Sequence, residues 1–157
     1  VMDEALHNAK VELQRADHLI FVSLKYTRTV DVIKNIIGRL ISTFDYCIEA
    51  LLKHAQEQKK ISEVPELPRL RIELMRTLYG THETVPHFLE FYLLMKKIDK
   101  ARFTRALEYR RHVTMTAHLD DEQVEINIDI ITDYFEKTKE FYEMVLSLVG
   151  RGGKKEQ

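Results

Sequence analysis

The fold is decided by residues 30–58, VDVIKNIIGRLISTFDYCIEALLKHAQEQ, the longest amphipathic stretch of the chain. Apolar side chains recur in it at spacings of three and four, the periodicity of one face of an α-helix. The stripe consists of Ile33, Ile37, Leu40, Ile41, Phe44, Ile48, Leu51, Leu52 and Ala55. A helix of this length spans about 40 Å, so we expect it to be a major strut of a helical bundle.

The segments on both sides of this stretch continue the helical pattern. Residues 3–26 read as an amphipathic helix that precedes it. Beyond a loop interrupted by Pro65 and Pro68, three further helical patterns cover residues 69–79, 84–98 and 99–118. A last helix is predicted to end at Gly150.

Residues 124–130 carry a strand-like pattern, because Val124, Ile126, Ile128 and Ile130 alternate with polar residues. A single strand without a partner has nowhere to place its backbone hydrogen bonds. We therefore expect an extended segment here that passes into the last helix.

Composition supports one helical domain. The chain has 157 residues, of which 45% are hydrophobic and 31% are charged, which is enough apolar material for one core and too much for a disordered chain. Its 5 Gly and 3 Pro are too few for the many turns of a β-sandwich or barrel. The sequence predicts an all-α fold, a single-domain antiparallel bundle of about five or six helices over residues 1–150, followed by a flexible polar tail over 151–157.

The single cysteine, Cys47, cannot form an internal disulfide. No apolar run approaches the ~18 residues that a membrane span requires, and no secretory signal pattern begins the chain. These features predict a cytoplasmic protein with no membrane partner.

The formal net charge of -1 conceals two oppositely charged segments. Residues 96–111 hold seven basic side chains and two acidic ones, whereas residues 120–143 hold nine acidic side chains and two basic ones. The basic residues are Lys96, Lys97, Lys100, Arg102, Arg105, Arg110 and Arg111. Such a stretch is suited to contact the phosphates of a nucleic acid. The alternative is that the two segments are neighbouring helices whose exposed faces satisfy each other.

The basic stretch runs into residues 108–118, EYRRHVTMTAH, in which Arg111 is followed by His112 and, after six intervening residues, by His118. This layout resembles the HEPN domains, small helical bundles that carry an arginine, a polar residue and then a histidine near the end of a late helix. The spacing here is longer than in the compact form of that motif. The resemblance covers residues 5–149 in architecture and includes the helix that ends at Lys53-His54.

The resemblance implies binding of RNA or a nucleotide, metal-independent cleavage of RNA, and a homodimer that builds the site. In that reading His118 exchanges a proton with the ribose 2′-hydroxyl or the leaving oxygen, since imidazole titrates near neutral pH. Arg111 holds the scissile phosphate, and His112 is the second polar group. The remaining cations of the basic stretch, Lys96, Lys97, Lys100, Arg102, Arg105 and Arg110, are the candidate nucleic-acid-binding residues. On a regular helix, Arg111 and His118 lie about two turns apart, so direct contact requires a break before His118.

Two alternatives to catalysis stay open. Arg111 and His118 also suit the C-terminal end of a helix, where cations interact favourably with the helix dipole. The chain then acts as a non-catalytic interaction module that forms a homodimer or binds a partner protein through an aromatic face of Phe88, Phe91 and Tyr92. A metal-binding bundle is the least favoured reading, because no Glu-x-x-His pair recurs on two helices, and we predict neither a metal site nor a cofactor.

The connection between the first two helices, residues 26–31, is dense in polar groups. Its simplest reading is a cap in which Thr29 or Asp31 satisfies free amides of the second helix. The other reading is a surface for a ligand or partner.

Overall fold

The computed structural model describes residues 2–151 as a mostly helical chain with one small sheet. The helical elements are α1 (Met2–His18), a π-helical segment (Leu19–Ser23), α2 (Leu24–Tyr26), α3 (Val30–Glu57), α4 (Pro68–Tyr79), α5 (Val85–Lys100) and α6 (Ile128–Leu148). The strands are β1 (Arg102–Ala106), β2 (Thr114–His118) and β3 (Gln123–Ile126). The predicted helical bundle is thus confirmed in outline, and the prediction of an all-α chain is wrong.

Helix α3 is the central strut, as its apolar stripe predicts. The side chain of Thr29 caps it by accepting a hydrogen bond from the backbone N–H of Val32 at 3.3 Å. The predicted stripe residues are buried except Ile41, which is half-buried against the core. Helices α1 and α6 both pack against α3, so the three longest helices enclose the core.

Of the stretch expected to be a helix over residues 99–118, only Asp99 and Lys100 are helical, at the end of α5, and residues 102–118 form a β-hairpin instead. β1 pairs antiparallel with β2, and β2 pairs antiparallel with β3, in the order β1-β2-β3. Along β2 the buried residues Met115 and Ala117 alternate with half-buried threonines, which is the period of a strand. The expected extended segment is strand up to Ile126, in β3, and β2 is its partner; Ile128 already begins α6.

The aromatic face proposed for partner binding lies inside the fold. Phe44 of α3 stacks on Phe141 with ring centroids 4.4 Å apart and on Tyr92 at 5.4 Å. Phe91 meets Phe44 edge-on, and Phe88 packs against Phe141. This cluster joins α3, α5 and α6, and it leaves Phe88 and Phe91 half-buried and Tyr92 buried.

The end of the described chain is tied to its beginning. The guanidinium of Arg151 lies 2.6 Å from the carboxylate of Asp3, and the Arg151 N–H donates to the carbonyl of Leu146 at 2.6 Å. The rest of the predicted polar tail, 152–157, lies outside the described residues.

Candidate nucleic-acid interface

The structure separates the residues of the candidate catalytic motif. Arg111 and His112 are exposed in the hairpin loop 107–113, whereas His118 ends β2. β2 is five residues long, and its ends are about 13 Å apart. Arg111 precedes the strand at one end and His118 closes it at the other, so one copy of the chain does not bring the two side chains together.

His118 lies on the solvent-facing side of the sheet. Its neighbours across the ladder are Arg102 on β1 and Gln123 on β3. One ring nitrogen of His118, Nε2, is 3.3 Å from the hydroxyl oxygen of Thr104. The three strands therefore present a polar row, in which Arg102 is the residue nearest in register to the imidazole.

The loop 107–113 is docked on the connection between α2 and α3. The N–H of Tyr109 donates to the carbonyl of Arg28 at 2.6 Å, and Glu108 Oε2 accepts a hydrogen bond from the N–H of Val30 at 2.9 Å. Leu107 and Tyr109 have left-handed backbone angles, with φ of 56° and 67°. Residues other than glycine rarely adopt this backbone conformation, because it costs free energy. The two hydrogen bonds to Arg28 and Val30 therefore hold the loop in a strained conformation.

Arg105 is occupied within the fold. Its guanidinium lies 3.0 Å from Asp31 and 3.4 Å from Glu108, and 5.2 Å from the ring centroid of Phe103. The hydrogen bond to Asp31 raises the pKa of Arg105, so the charge is retained. Both carboxylates lie outside the acidic segment 120–143, and Arg105 braces β1 against the start of α3.

Three of the predicted nucleic-acid-binding residues line one groove. α4 and α5 lie side by side, and the groove between them has a volume of about 840 Å³. Its apolar floor includes Ile72, Leu93 and Leu94. Its charged lining consists of Arg69, Arg76, Lys96, Lys97 and Lys100 together with Glu73 and Glu90. Five cations against two carboxylates leave an excess of three positive charges.

The two carboxylates of the groove are paired with the arginines of α4. Arg76 lies 3.3 Å from Glu90 across the groove, and Arg69 lies 4.0 Å from Glu73. Within residues 2–151, Lys96, Lys97 and Lys100 form no ion pair. The excess charge therefore belongs to the lysines of α5. Lys97 and Lys100 occupy the last turn of that helix, where the negative end of the dipole favours cations.

The groove continues into a smaller pocket of about 260 Å³ with a polar wall. The hydroxyl of Tyr92 donates a short hydrogen bond to Asp45. Lys96 Nζ lies 5.2 Å from the centre of the Tyr92 ring, and the Nε–H of Arg71 donates to the carbonyl of Pro65 at 2.6 Å. The pocket, which shares Pro68, Ile72 and Lys96 with the groove, thus gathers a donor hydroxyl, two carboxylates and two cations: Tyr92, Asp45, Glu66, Arg71 and Lys96.

The Tyr92–Asp45 pair perturbs the titration of both groups. Desolvation raises the pKa of Asp45, although the hydrogen bond from Tyr92 and the charges of Lys96 and Arg71 oppose this rise. Burial and the neighbouring carboxylate raise the pKa of Tyr92, so its hydroxyl stays a donor at neutral pH. Asp45 lines the pocket with one oxygen already accepting a hydrogen bond from the Tyr92 hydroxyl.

The sequence pattern missed the contribution of α4 and of Asp45. Arg69 and Arg76 are seven residues apart, about two helical turns, and this spacing places them on one face beside Ile72. That spacing was a usable signal for a basic helix face. Asp45 gave no signal, because it sits in the middle of the α3 pattern and acquires its role only when α5 brings Tyr92 to it.

Comparisons with models of protein families, with curated proteins and with solved structures found no match for this chain. None of the three comparisons therefore tests the expected resemblance to HEPN domains.

Two searches of the geometry of residues 2–151 gave negative results. No group of three or more His, Cys, Asp or Glu side chains is placed to hold a metal ion. None of the helices in that range combines the length and the apolar character needed to cross a membrane.

Proposed function

We propose that this chain binds RNA or a nucleotide in the groove between α4 and α5. The observation that carries the proposal is the set of three lysines, Lys96, Lys97 and Lys100, which line an apolar groove and form no direct ion pair within residues 2–151, although the charge of Lys96 also acts on Asp45. Lysines in this state supply phosphate contacts without first breaking an ion pair.

The groove offers complementary surfaces to both parts of a nucleotide. The lysines suit the phosphates, and the floor of Ile72, Leu93 and Leu94 suits the apolar face of a base. In the smaller pocket that adjoins the groove, Asp45 is placed to accept a hydrogen bond from an exocyclic amine of that base. This combination favours a single-stranded segment, whose bases are unpaired, over a duplex.

The proposal predicts a defined salt dependence. Three phosphate contacts to a single strand give a slope of about -2 for log affinity against log salt. A threefold increase in salt concentration is then expected to weaken binding about tenfold.

The test is fluorescence anisotropy with a labelled single-stranded oligoribonucleotide and, separately, a labelled mononucleotide. The double variant Lys97→Gln/Lys100→Gln should lose about two thirds of the salt slope and most of the affinity. The control variant Lys60→Gln/Lys139→Gln removes the same charge from exposed sites outside the groove and should bind as the wild type does. Equal losses in both variants, or no binding by the wild type at low salt, would refute the groove as the site.

A further inference from the structure

The outer edge of β1 is unpaired. β1 lies at one end of the strand order and forms its ladder with β2 alone. Within residues 2–151 no further backbone hydrogen bond reaches any residue of β1. Four of its five residues are exposed. An open row of N–H and C=O groups of this kind is a template for another strand.

The sequence of β1 is complementary to itself. In an antiparallel pair of two β1 strands centred on Thr104, Arg102 faces Ala106 of the second copy and Phe103 faces Arg105. The only identical residues that meet are the two Thr104 side chains, a favourable cross-strand pair. This register pairs all five residues, opposes no like charges and keeps the polar faces of both sheets on one side.

The charges of β1 do not block this pairing. Charged residues protect edge strands from association, but Arg105 is already paired with Asp31 and Glu108. Arg102 is the one remaining charge of β1, and it faces an alanine in this register. The other edge strand, β3, differs because Glu125 lies within it and Asp120, Asp121 and Glu122 precede it, which disfavours self-pairing.

The residues that follow β1 supply apolar surface to the same contact. Leu107 is 48% exposed and Tyr109 is 76% exposed, and the docked loop holds both in place. In an antiparallel pair the chain beyond Ala106 continues alongside Ala101 of the second copy, at the end of α5. The two-fold axis produces this contact twice.

We propose that two copies of this chain associate through their β1 strands into one six-stranded antiparallel sheet. We assign a second copy of the chain to this edge because a two-fold axis at Thr104 pairs all five residues of β1 with the same five residues of the other copy and places no two charges directly opposite each other. A five-residue strand pair with two flanking apolar contacts is smaller than the roughly 1,200 Å² of a standard interface. The dimer is therefore expected to depend on protein concentration.

The decisive experiment is disulfide trapping with Thr104→Cys. The two Thr104 Cα atoms face each other across the axis, about 4.5–5.5 Å apart, which is within disulfide range. The matched control is Thr116→Cys, on the same face of the adjacent strand. In the proposed sheet the Cα atoms of the two Thr116 residues are about 14 Å apart, which is too far for a disulfide. Cys47 is fully buried and does not compete. Mild oxidation should give a covalent dimer with Thr104→Cys only, whereas equal yields from both variants overturn the proposal.

A charge series measures the same register without oxidation. Ala106→Glu places a carboxylate opposite Arg102 of the second copy and should tighten the dimer about fivefold in sedimentation equilibrium, because the new pair occurs twice. Ala106→Lys should weaken the dimer by a similar factor. If the wild type remains monomeric at every concentration, or if both variants shift the equilibrium in the same direction, the β1 interface is wrong. The groove lysines are unchanged in these variants, so RNA binding is assayed independently.

Discussion

Glu108 is the residue on which the docking of the hairpin loop most depends, and its replacement by alanine should destabilise the fold. One carboxylate oxygen of Glu108 accepts a hydrogen bond from the Val30 N–H at 2.9 Å and lies 3.4 Å from Arg105. Val30 is fully buried and begins α3, so its N–H loses its partner when the side chain is removed. The carboxylate also faces the positive end of the α3 dipole.

The expected loss of unfolding free energy is about 2 kcal/mol. A hydrogen bond to a charged group contributes roughly 1.5–3 kcal/mol, and we take a value in the lower half of this range because the Glu108 side chain is 27% exposed. Glu108→Gln keeps an acceptor oxygen and loses only the charge, so its loss should be about 0.5–1 kcal/mol.

Urea unfolding followed by circular dichroism measures this difference. Glu125→Ala on the exposed side of β3 serves as the control and should change stability by less than about 0.5 kcal/mol. Amide hydrogen exchange should show that Val30 loses protection in Glu108→Ala while amides in the middle of α3 keep theirs. A Glu108→Ala protein as stable as the Glu125→Ala control, with Val30 still protected, would refute this account of the loop.

Two further predictions concern the thiol and the candidate catalytic pair. Burial raises the pKa of the Cys47 thiol, so the native protein should not react with a thiol reagent at pH 8, whereas the urea-unfolded protein should react fully; reaction of the native protein would contradict the burial. If the chain cleaves RNA with Arg111 and His118, each site must combine Arg111 of one copy with His118 of another, because the two residues are apart in a single copy. Mixing the inactive variants Arg111→Ala and His118→Ala should then restore about a quarter of the wild-type activity, since half of the dimers are mixed and each mixed dimer has one intact site of two. A mixture that stays inactive, beside an active wild type, would exclude a shared site.

The long helices were predictable because their periodicity is repeated over many turns. The apolar residues of α3 recur at spacings of three and four and do not fit the alternation of a strand. The cap by Thr29 follows from a hydroxyl directly before the first helical residue. The hairpin was not predictable by the same reasoning. Phe103, Leu107 and Ala117 fit a helical spacing, while Val113, Met115 and Ala117 also fit the alternation of a strand. Over so short a segment the apolar residues fit both the helical period and the strand period, so the pattern does not distinguish the two structures.

The sequence predicts neither β2 nor β3 as a paired strand, because each strand is the other's partner. Each strand is five residues or fewer, and neither can place its backbone hydrogen bonds alone. Reading one of them as helix removes the evidence for the other. The threonines of β2 were the local signal, since β-branched residues favour strands over helices.

This error had a direct effect on the predicted site. A helix over residues 99–118 would have kept most of the basic stretch in one element, but the hairpin divides it among α5, β1 and the loop 107–113. Lys96 and Lys97 lie in the segment correctly predicted as a helix. Lys100 lies in the predicted helix 99–118, of which only Asp99 and Lys100 are helical, and it therefore stays in the α5 groove. Arg105 pairs with Asp31 on the surface, and Arg111 and His118 lie toward opposite ends of β2.

The groove and the β1 edge are adjacent, which connects the two proposals physically. Ala101 is the single residue between the last turn of α5, with Lys97 and Lys100, and the first residue of β1, Arg102. In the proposed dimer Arg102 faces Ala106 of the second copy, and the loop that carries the second copy's Arg110 and Arg111 begins directly beyond it. Pairing of β1 strands would therefore bring the basic loop of one copy close to the end of α5 in the other. A strand of RNA that leaves the groove at Lys100 would meet this second set of cations, with an effective concentration set by the rigid sheet between them.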